Sequence, residues 1–280
     1  MFDIQTDEQM VNWFGPDLTF NNQGSLRKSA GSGATLLGVD FRNTGMVEVQ
    51  SGTLSFSNFR QISGSTLLNG GSVRATSGTL LVQGGVLGGF GPVVEDLAMS
   101  GQLSPGISPG RLTVQGNYDQ RSSGSYNCEI GGTIAGTNYD QVVITGNATL
   151  AGTINVVSIN GFTPAPGDRF EIMKFASRSG SVTFQGLDIA NGITLVPEVS
   201  SSNIILVATS VPLSPSPRLN VFRNGDALWV SWPHGYPGFQ LHSATNLAAP
   251  IQWSPVPLSE PNRAILAPSG PATFFRLVSP

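Results

Sequence analysis

The sequence predicts an all-β protein: a parallel β-helix, a solenoid of stacked coils, followed by a small β-sandwich. Three observations predict it. Apolar and polar residues alternate in short runs, as at Val47/Val49 and Leu54/Phe56, which is the period of a strand and not of a helix. The chain is punctuated by 35 glycines and 19 prolines among 280 residues, so the strands between them must be short. The third is repetition. The phrase from Gly45 to Phe56 recurs from Gly71 to Val82, 26 residues on, and a weaker copy starts at Gly24, 21 residues before Gly45. Asn117-Tyr118-Asp119-Gln120 returns as Asn138-Tyr139-Asp140-Gln141 at an offset of 21. A hairpin sandwich competes with the β-helix for these strands, but a period of about 21–30 residues is what three short strands and their turns consume in one coil.

The elements follow from local chemistry. Gly52 and Gly78, each after a serine, supply corner conformations that side chains resist. Asn22 and Asn43, each just before a turn, are placed to stack in successive coils and bond amide to amide. Gly84-Gly85 and Gly131-Gly132 are turns, since no Lys-Ser/Thr and no helix follows them.

Composition excludes several classes. The chain is 39% hydrophobic and only 11% charged, against the Ala/Glu/Lys/Leu richness of a coiled coil. Lys28 and Lys174 are the only lysines, and 14 basic against 17 acidic residues leave a net charge of −3, so no basic face is expected to meet nucleic acid. Cys128 is the one cysteine and His234 and His242 the two histidines, too few for a zinc site, and no cofactor is expected. No apolar run reaches bilayer length. Residues 1–8 lack the basic and apolar regions of a secretory signal. The Ser/Thr/Gly/Asn-rich, Lys-poor composition nevertheless points to a secreted or cell-surface protein, of which this chain is expected to be a fragment or to carry a mis-assigned start.

Two stretches carry a family resemblance. Leu103-Ser104-Pro105-Gly106, Ser108-Pro109-Gly110-Arg111-Leu112 and Tyr139-Asp140-Gln141-Val142, continuing through Gly146-Asn147-Ala148-Thr149-Leu150, resemble the passenger-associated, autotransporter-type β-strand repeats of bacterial surface proteins. Gly161-Phe162-Thr163-Pro164 to Ile172 is similar to the segment that follows such repeats, and Phe20-Asn21-Asn22-Gln23-Gly24 and Phe41-Arg42-Asn43-Thr44-Gly45 resemble repeats that precede it. The likeness spans about residues 10–209. It implies a right-handed parallel β-helix on an exported protein. The family's β-barrel translocator has no counterpart, because no series of about ten-residue alternating strands closes the chain.

Composition shifts at residues 210–217, a Pro/Ser linker between a domain of residues 1–209 and a module of residues 218–280. Strand candidates in the module are 219–222, 228–232, 239–241, 253–256, 264–266 and 274–278. Leu228-Trp229-Val230-Ser231-Trp232-Pro233 with Phe274-Phe275-Arg276-Leu277 resembles short fibronectin III-like or immunoglobulin-like modules of secreted bacterial proteins.

Candidate chemistry is sparse. Asp119 and Asp140 could stack as a carboxylate pair for acid/base work or calcium, with Arg111, Arg121 and Arg169 the nearby bases. The favoured alternative is that each caps a turn. Cys128 beside Glu129 reads as a small buried hydrophobe. No nucleophile elbow accompanies the histidines. Trp229, Trp232, Tyr236 and Trp253 could offer sugar rings an aromatic platform, although alternation places Trp232 with Val230 opposite Trp229, so one ring belongs to the core. Three functions remain in view: a non-catalytic structural or adhesive segment of an exported surface protein, which is favoured and whose partner is a cell-surface glycan or protein; a carbohydrate-binding protein; and a β-helix polysaccharide lyase or hydrolase.

Overall fold

The computed structural model describes residues 1–11, 18–189, 192–210, 217–224, 226–233, 238–260, 262–267 and 272–278. It is all-β, with no helix among the described residues, and divides into two compact units, Met1–Thr209 and Ser210–Pro280. Of the expected linker, residues 211–216 lie outside the described residues.

The larger unit is a large, mostly parallel sheet in which successive passes of the chain add strands to three ladders. The first ladder runs through Phe2–Ile4, Ser25–Lys28, Met46–Val49, Ser65–Asn69 and the start of Val86–Met99, then through Gln102–Pro105, Ser125–Ile130, Thr153–Ser158 and Thr183–Gln185. The second includes Met10–Val11, Arg111–Val114 and Gln141–Ile144. The third passes through Thr19–Asn22, Tyr118–Gln120, Asn147–Leu150 and Ser177–Gly180. Ala34–Asn43, Thr53–Gln61 and Ser72–Val82 each serve the second ladder and then the third, with a register irregularity where they cross over. Such an irregularity bends a strand and re-aims its side chains. Pairing turns antiparallel only late, where Asn203–Ser210 joins Arg169–Lys174 and Ile193–Val199 joins Asp188–Ile189.

Register corrects the sequence repeats. Leu26 does pair with Val47, at the offset of 21, but Val47 pairs with Thr66 and Leu54 with Val73, so the 26-residue echo is not a stacking register. Tyr118 lies beside Ala148, and Gln141 beside Arg111, so the Asn-Tyr-Asp-Gln echo is not a stacking register either. The step ranges from 16 residues at Val86/Gln102 to 31 at Val142/Met173, wider than the repeats suggest. Corner loops of different length set each step, and loop length is invisible to a comparison of strand phrases.

Inward-facing positions stack into columns. Phe20, Phe41 and Phe59 follow one another in the third ladder with ring centroids 5.6 and 5.7 Å apart, and Leu80, Leu97 and Tyr118 continue the row. Each fully buried Leu or Phe contributes about 1.5–3 kcal/mol of apolar burial. Two residues along, the expected amide ladder forms. Asn22 Nδ2 donates to Asn43 Oδ1 at 2.8 Å and Asn43 Nδ2 to Gln61 Oε1 at 3.2 Å, all three residues being buried. Val82 and Met99 then take over the column, so amides are used where neighbours can satisfy them and aliphatic groups where they cannot.

Backbones approach closely at the corner before the first ladder. A Cβ on Gly45 would lie 2.2 Å from the Gly24 carbonyl oxygen, and one on Gly64 2.0 Å from that of Gly45, where φ is also +72°. Gly52 and Gly78 have φ of +57° and +103°, as corners require.

The smaller unit holds two three-stranded antiparallel sheets. Asn220–Asn224, Ala227–Ser231 and Arg263–Leu266 form one; Ser254–Pro255, Gln240–Ala244 and Phe274–Val278 form the other. Val230, Trp232 and Ala264 share a core with Leu241, Leu277 and Val256, so the alternation in 228–232 turned Val230 and Trp232 inward together.

Candidate functional site

Asp119 and Asp140 do not form a pair. Asp119 lies exposed on the third ladder between Ala98 and Thr149, 3.3 Å from the Arg121 guanidinium. Asp140 is fully buried, and its carboxylate accepts the backbone N–H groups of Gly110 at 2.7 Å and Glu129 at 3.0 Å. Asp119 belongs to the third-ladder strand Tyr118–Gln120, whereas Asp140 lies in the loop just before Gln141–Ile144, so the two carboxylates meet different surroundings. Burial pushes the Asp140 carboxyl up to about 7 against the two N–H donors that favour its charged form. Its role is to join strands, at backbone groups distant in sequence rather than at its own turn. Arg111 pairs with Gln141 across the ladder and Arg169 is bound to Glu198, so neither joins an acidic cluster. Among the described residues, no group of three or more His, Cys, Asp or Glu side chains converges to hold a metal ion. Cys128 is fully buried, and burial pushes its thiol well above the ordinary range, which makes it a poor nucleophile at neutral pH.

Two polar clefts flank the third ladder. One, of about 430 Å³, is lined by Asp96, Asn117, Asp119 and Asn147; the other, of about 410 Å³, by Asp40, Asn58 and Arg60, and Thr79 and Arg121 belong to both. Their aromatic neighbours Phe59 and Tyr118 are buried, so no open ring faces either cleft. Asp96 and Asn117 are tied together, the Asn117 backbone N–H reaching Asp96 Oδ1 at 2.7 Å, and Asn117 Oδ1 in turn accepts the Asn147 N–H at 2.9 Å. These side chains are committed to the ladder itself.

The four tryptophan and tyrosine candidates are dispersed. Tyr236, like His234, lies outside the described residues. Trp253 is half-buried with the Arg276 guanidinium 4.5 Å from its ring centroid, on the sheet that does not contain Trp229. Trp232 is 2% exposed and is core, yet its indole N–H has no partner among the described residues, and a buried donor left so costs about 1–3 kcal/mol. Like Trp253, Trp229 is half-buried; it lies on the face of its sheet opposite the core residue Val230. Phe222 lies directly across from Trp229, 49% exposed, with ring centroids 5.6 Å apart and planes tilted by 44°. Arg263 sits over the Trp229 ring at 4.7 Å and is ion-paired with Glu260. A cation held against an indole is worth about 0.5–1 kcal/mol at an exposed site and fixes the ring's orientation.

Beside these rings is a cavity of about 280 Å³, whose wall includes Asn220, Phe222, Trp229, Ser231, Trp232 and Asn262. Register explains the grouping. Asn220, Ser231 and Arg263 form one cross-strand row, and Phe222, Trp229 and Ile265 the next row on the same face. The Asn262 side chain donates to the Trp232 carbonyl at 2.5 Å and anchors the loop at the cavity's edge. Phe222 and Arg263 were missed at the sequence level. The signal was present for Phe222: it shares strand parity with the polar Asn220 and Asn224, which marks it as outward. No family model matches the chain, and no curated protein matches it.

Proposed function

We propose that the chain is a non-catalytic structural and adhesive segment of an exported bacterial surface protein. Residues 1–209 are a right-handed parallel β-helix that acts as a stiff spacer, and residues 218–280 a small β-sandwich that makes contact with a surface. The observation that carries this is the repeated use of the same three parallel ladders from Phe2 to Gln185, with buried columns of Phe, amide and aliphatic side chains running between passes. Three strands per pass, each pairing with its counterpart in the next pass, is what a solenoid coil does. Right-handed crossover is the rule for parallel strands joined within one sheet. The resemblance to passenger-associated strand repeats supplies the exported context. Investment of Asp140, Asn117 and Lys28 in joining strands supports a load-carrying role over catalysis.

The test is attachment. Beads coated with the full chain should adhere to glycoprotein-coated or cell surfaces above uncoated beads, and the chain should leave soluble polysaccharides intact. Release of new reducing or unsaturated ends from a polysaccharide panel in proportion to added protein would overturn the non-catalytic reading, and beads that fail to adhere would remove the adhesive half.

A further inference from the structure

We propose that the cavity beside Trp229 in the C-terminal unit is a binding site for a neutral saccharide; this names the ligand of the adhesive module and rests on that reading. A pyranose offers one face of C–H groups and a rim of hydroxyls, each both donor and acceptor. The outer face of the sheet presents matching parts in adjacent rows. Phe222 and Trp229 supply two exposed or half-buried rings side by side, 5.6 Å apart. One row away, about 7 Å along the strands, Asn220 and Ser231 are cross-strand neighbours whose side chains have no hydrogen-bond partner among the described residues. Both can donate and accept, as a sugar hydroxyl requires. Trp232, buried beneath, adds an indole N–H that has no partner among the described residues.

Charge selects among ligands. The charged residues of the cavity wall are Glu260 and Arg263, and they are paired with each other. The site is therefore neutral overall, and a phosphate, sulfate or carboxylate would have to displace Glu260 to gain the guanidinium. Arg263 is instead engaged with the Trp229 ring, holding it in place before any ligand arrives, which lowers the ordering cost of binding. The sheet register makes these contacts simultaneous, since Asn220, Ser231 and Arg263 are cross-strand neighbours on paired strands and not on a loop.

The experiment uses the full chain on an array of neutral mono- and oligosaccharides containing glucose, galactose, mannose or N-acetylhexosamines, with sulfated and sialylated counterparts, followed by calorimetric titration of the best neutral hit. The expected result is saturable binding of a neutral saccharide that weakens about tenfold or more in Phe222→Ala and Trp229→Ala, the scale of losing one aromatic anchor, and severalfold in Ser231→Ala. Trp253→Ala, on the other sheet, should bind as the parent does. Phe222 is half exposed, so its truncation leaves the core intact and keeps the test open if Trp229→Ala fails to fold. Binding of acidic glycans alone, binding indifferent to Phe222→Ala, or a blank array would each overturn the proposal. Beads that adhere while the array is blank would leave the adhesive reading standing with a protein partner; saccharide binding without bead adhesion would keep the site and remove that reading.

Discussion

Asn43→Ala is the substitution that most directly tests how the larger unit is held together. Asn43 is fully buried, and its amide donates to Gln61 Oε1 at 3.2 Å, to the Ser65 carbonyl at 3.1 Å and to the Gly45 carbonyl at 3.3 Å. Its oxygen accepts Asn22 Nδ2 at 2.8 Å and the Gly45 N–H at 3.2 Å. Several partners keep a second bond: Asn22 Nδ2 to the Met46 carbonyl, the Gly45 N–H to the Asn22 carbonyl, and Gln61 Oε1 from Thr66. The five contacts share two N–H protons and two acceptor lone pairs, so about four bonds' worth is lost; at a net 0.5–1.5 kcal/mol each, discounted for those retained partners, the expected loss is about 2–4 kcal/mol. The loss should be local, because in a stacked repeat each pass touches mainly its neighbours. Native-state hydrogen exchange is the assay, with faster exchange at residues 22–26, 43–47 and 61–66 and unchanged protection beyond residue 110. Asn43→Leu is the decisive companion. Two and three passes on, Val82 and Met99 fill the same column, so leucine supplies apolar burial without the amide. If Asn43→Leu were as protected as the parent, the amide would be dispensable packing and the argument would fail.

Three further outcomes follow from the same geometry. Gly64→Ala, which combines a φ of +72° with a Cβ 2.0 Å from the Gly45 oxygen, should cost about 2–4 kcal/mol by urea unfolding. Gly161→Ala, at +68° but with nothing within 4 Å, should cost only about 1 kcal/mol; equal effects would show that the close approach is not limiting. Lys28→Met keeps the buried stem but removes the ammonium contacts to Asp7 Oδ1 at 2.9 Å, the Thr6 carbonyl at 2.9 Å, the Ala30 carbonyl at 3.0 Å and Thr35 Oγ1 at 3.1 Å. The expected loss is about 2–3 kcal/mol, read as faster exchange at residues 3–7 with none beyond residue 60. For Asp140, a carboxyl at about 7 when folded and 3.8 otherwise means that between pH 4 and 7 the folded chain keeps a proton the unfolded chain has lost. Its contribution is present below pH 4, falls as pH rises by an amount near 4 kcal/mol, and is gone above 7. Urea midpoints in Asp140→Asn should lack that slope, and a parent whose midpoint rises over the same range would contradict the assignment.

Much of the architecture was legible because strand periodicity is local. The alternation at Val47/Val49 was enough to mark strands and that around Trp229 and Trp232 to assign one of the two rings to the core, and the Asn22 and Asn43 positions before turns were enough to anticipate an amide ladder. Registers were not legible. The echo of Gly45 to Phe56 at Gly71 to Val82 is strong in the sequence and absent from the pairing, because neighbours are chosen by corner loops whose lengths vary from pass to pass. The Asp119/Asp140 pair dissolved because identical tetrapeptides met different surroundings, one in a ladder strand with its carboxylate beside Arg121 and the other in a loop with its carboxylate on two backbone N–H groups.

What the sequence by itself determined is the all-β class and the two-residue alternation within short strands, since each depends on residues within a few positions of one another. What only the tertiary structure decided is which residues meet. Lys28 acquired its four acceptors, and Trp229 acquired Phe222, Ser231 and Arg263 as companions, through pairings set by the whole path of the chain. Hydrogen bonds between strands are indifferent to side-chain identity, so the sequence can specify a face without specifying the partner on it.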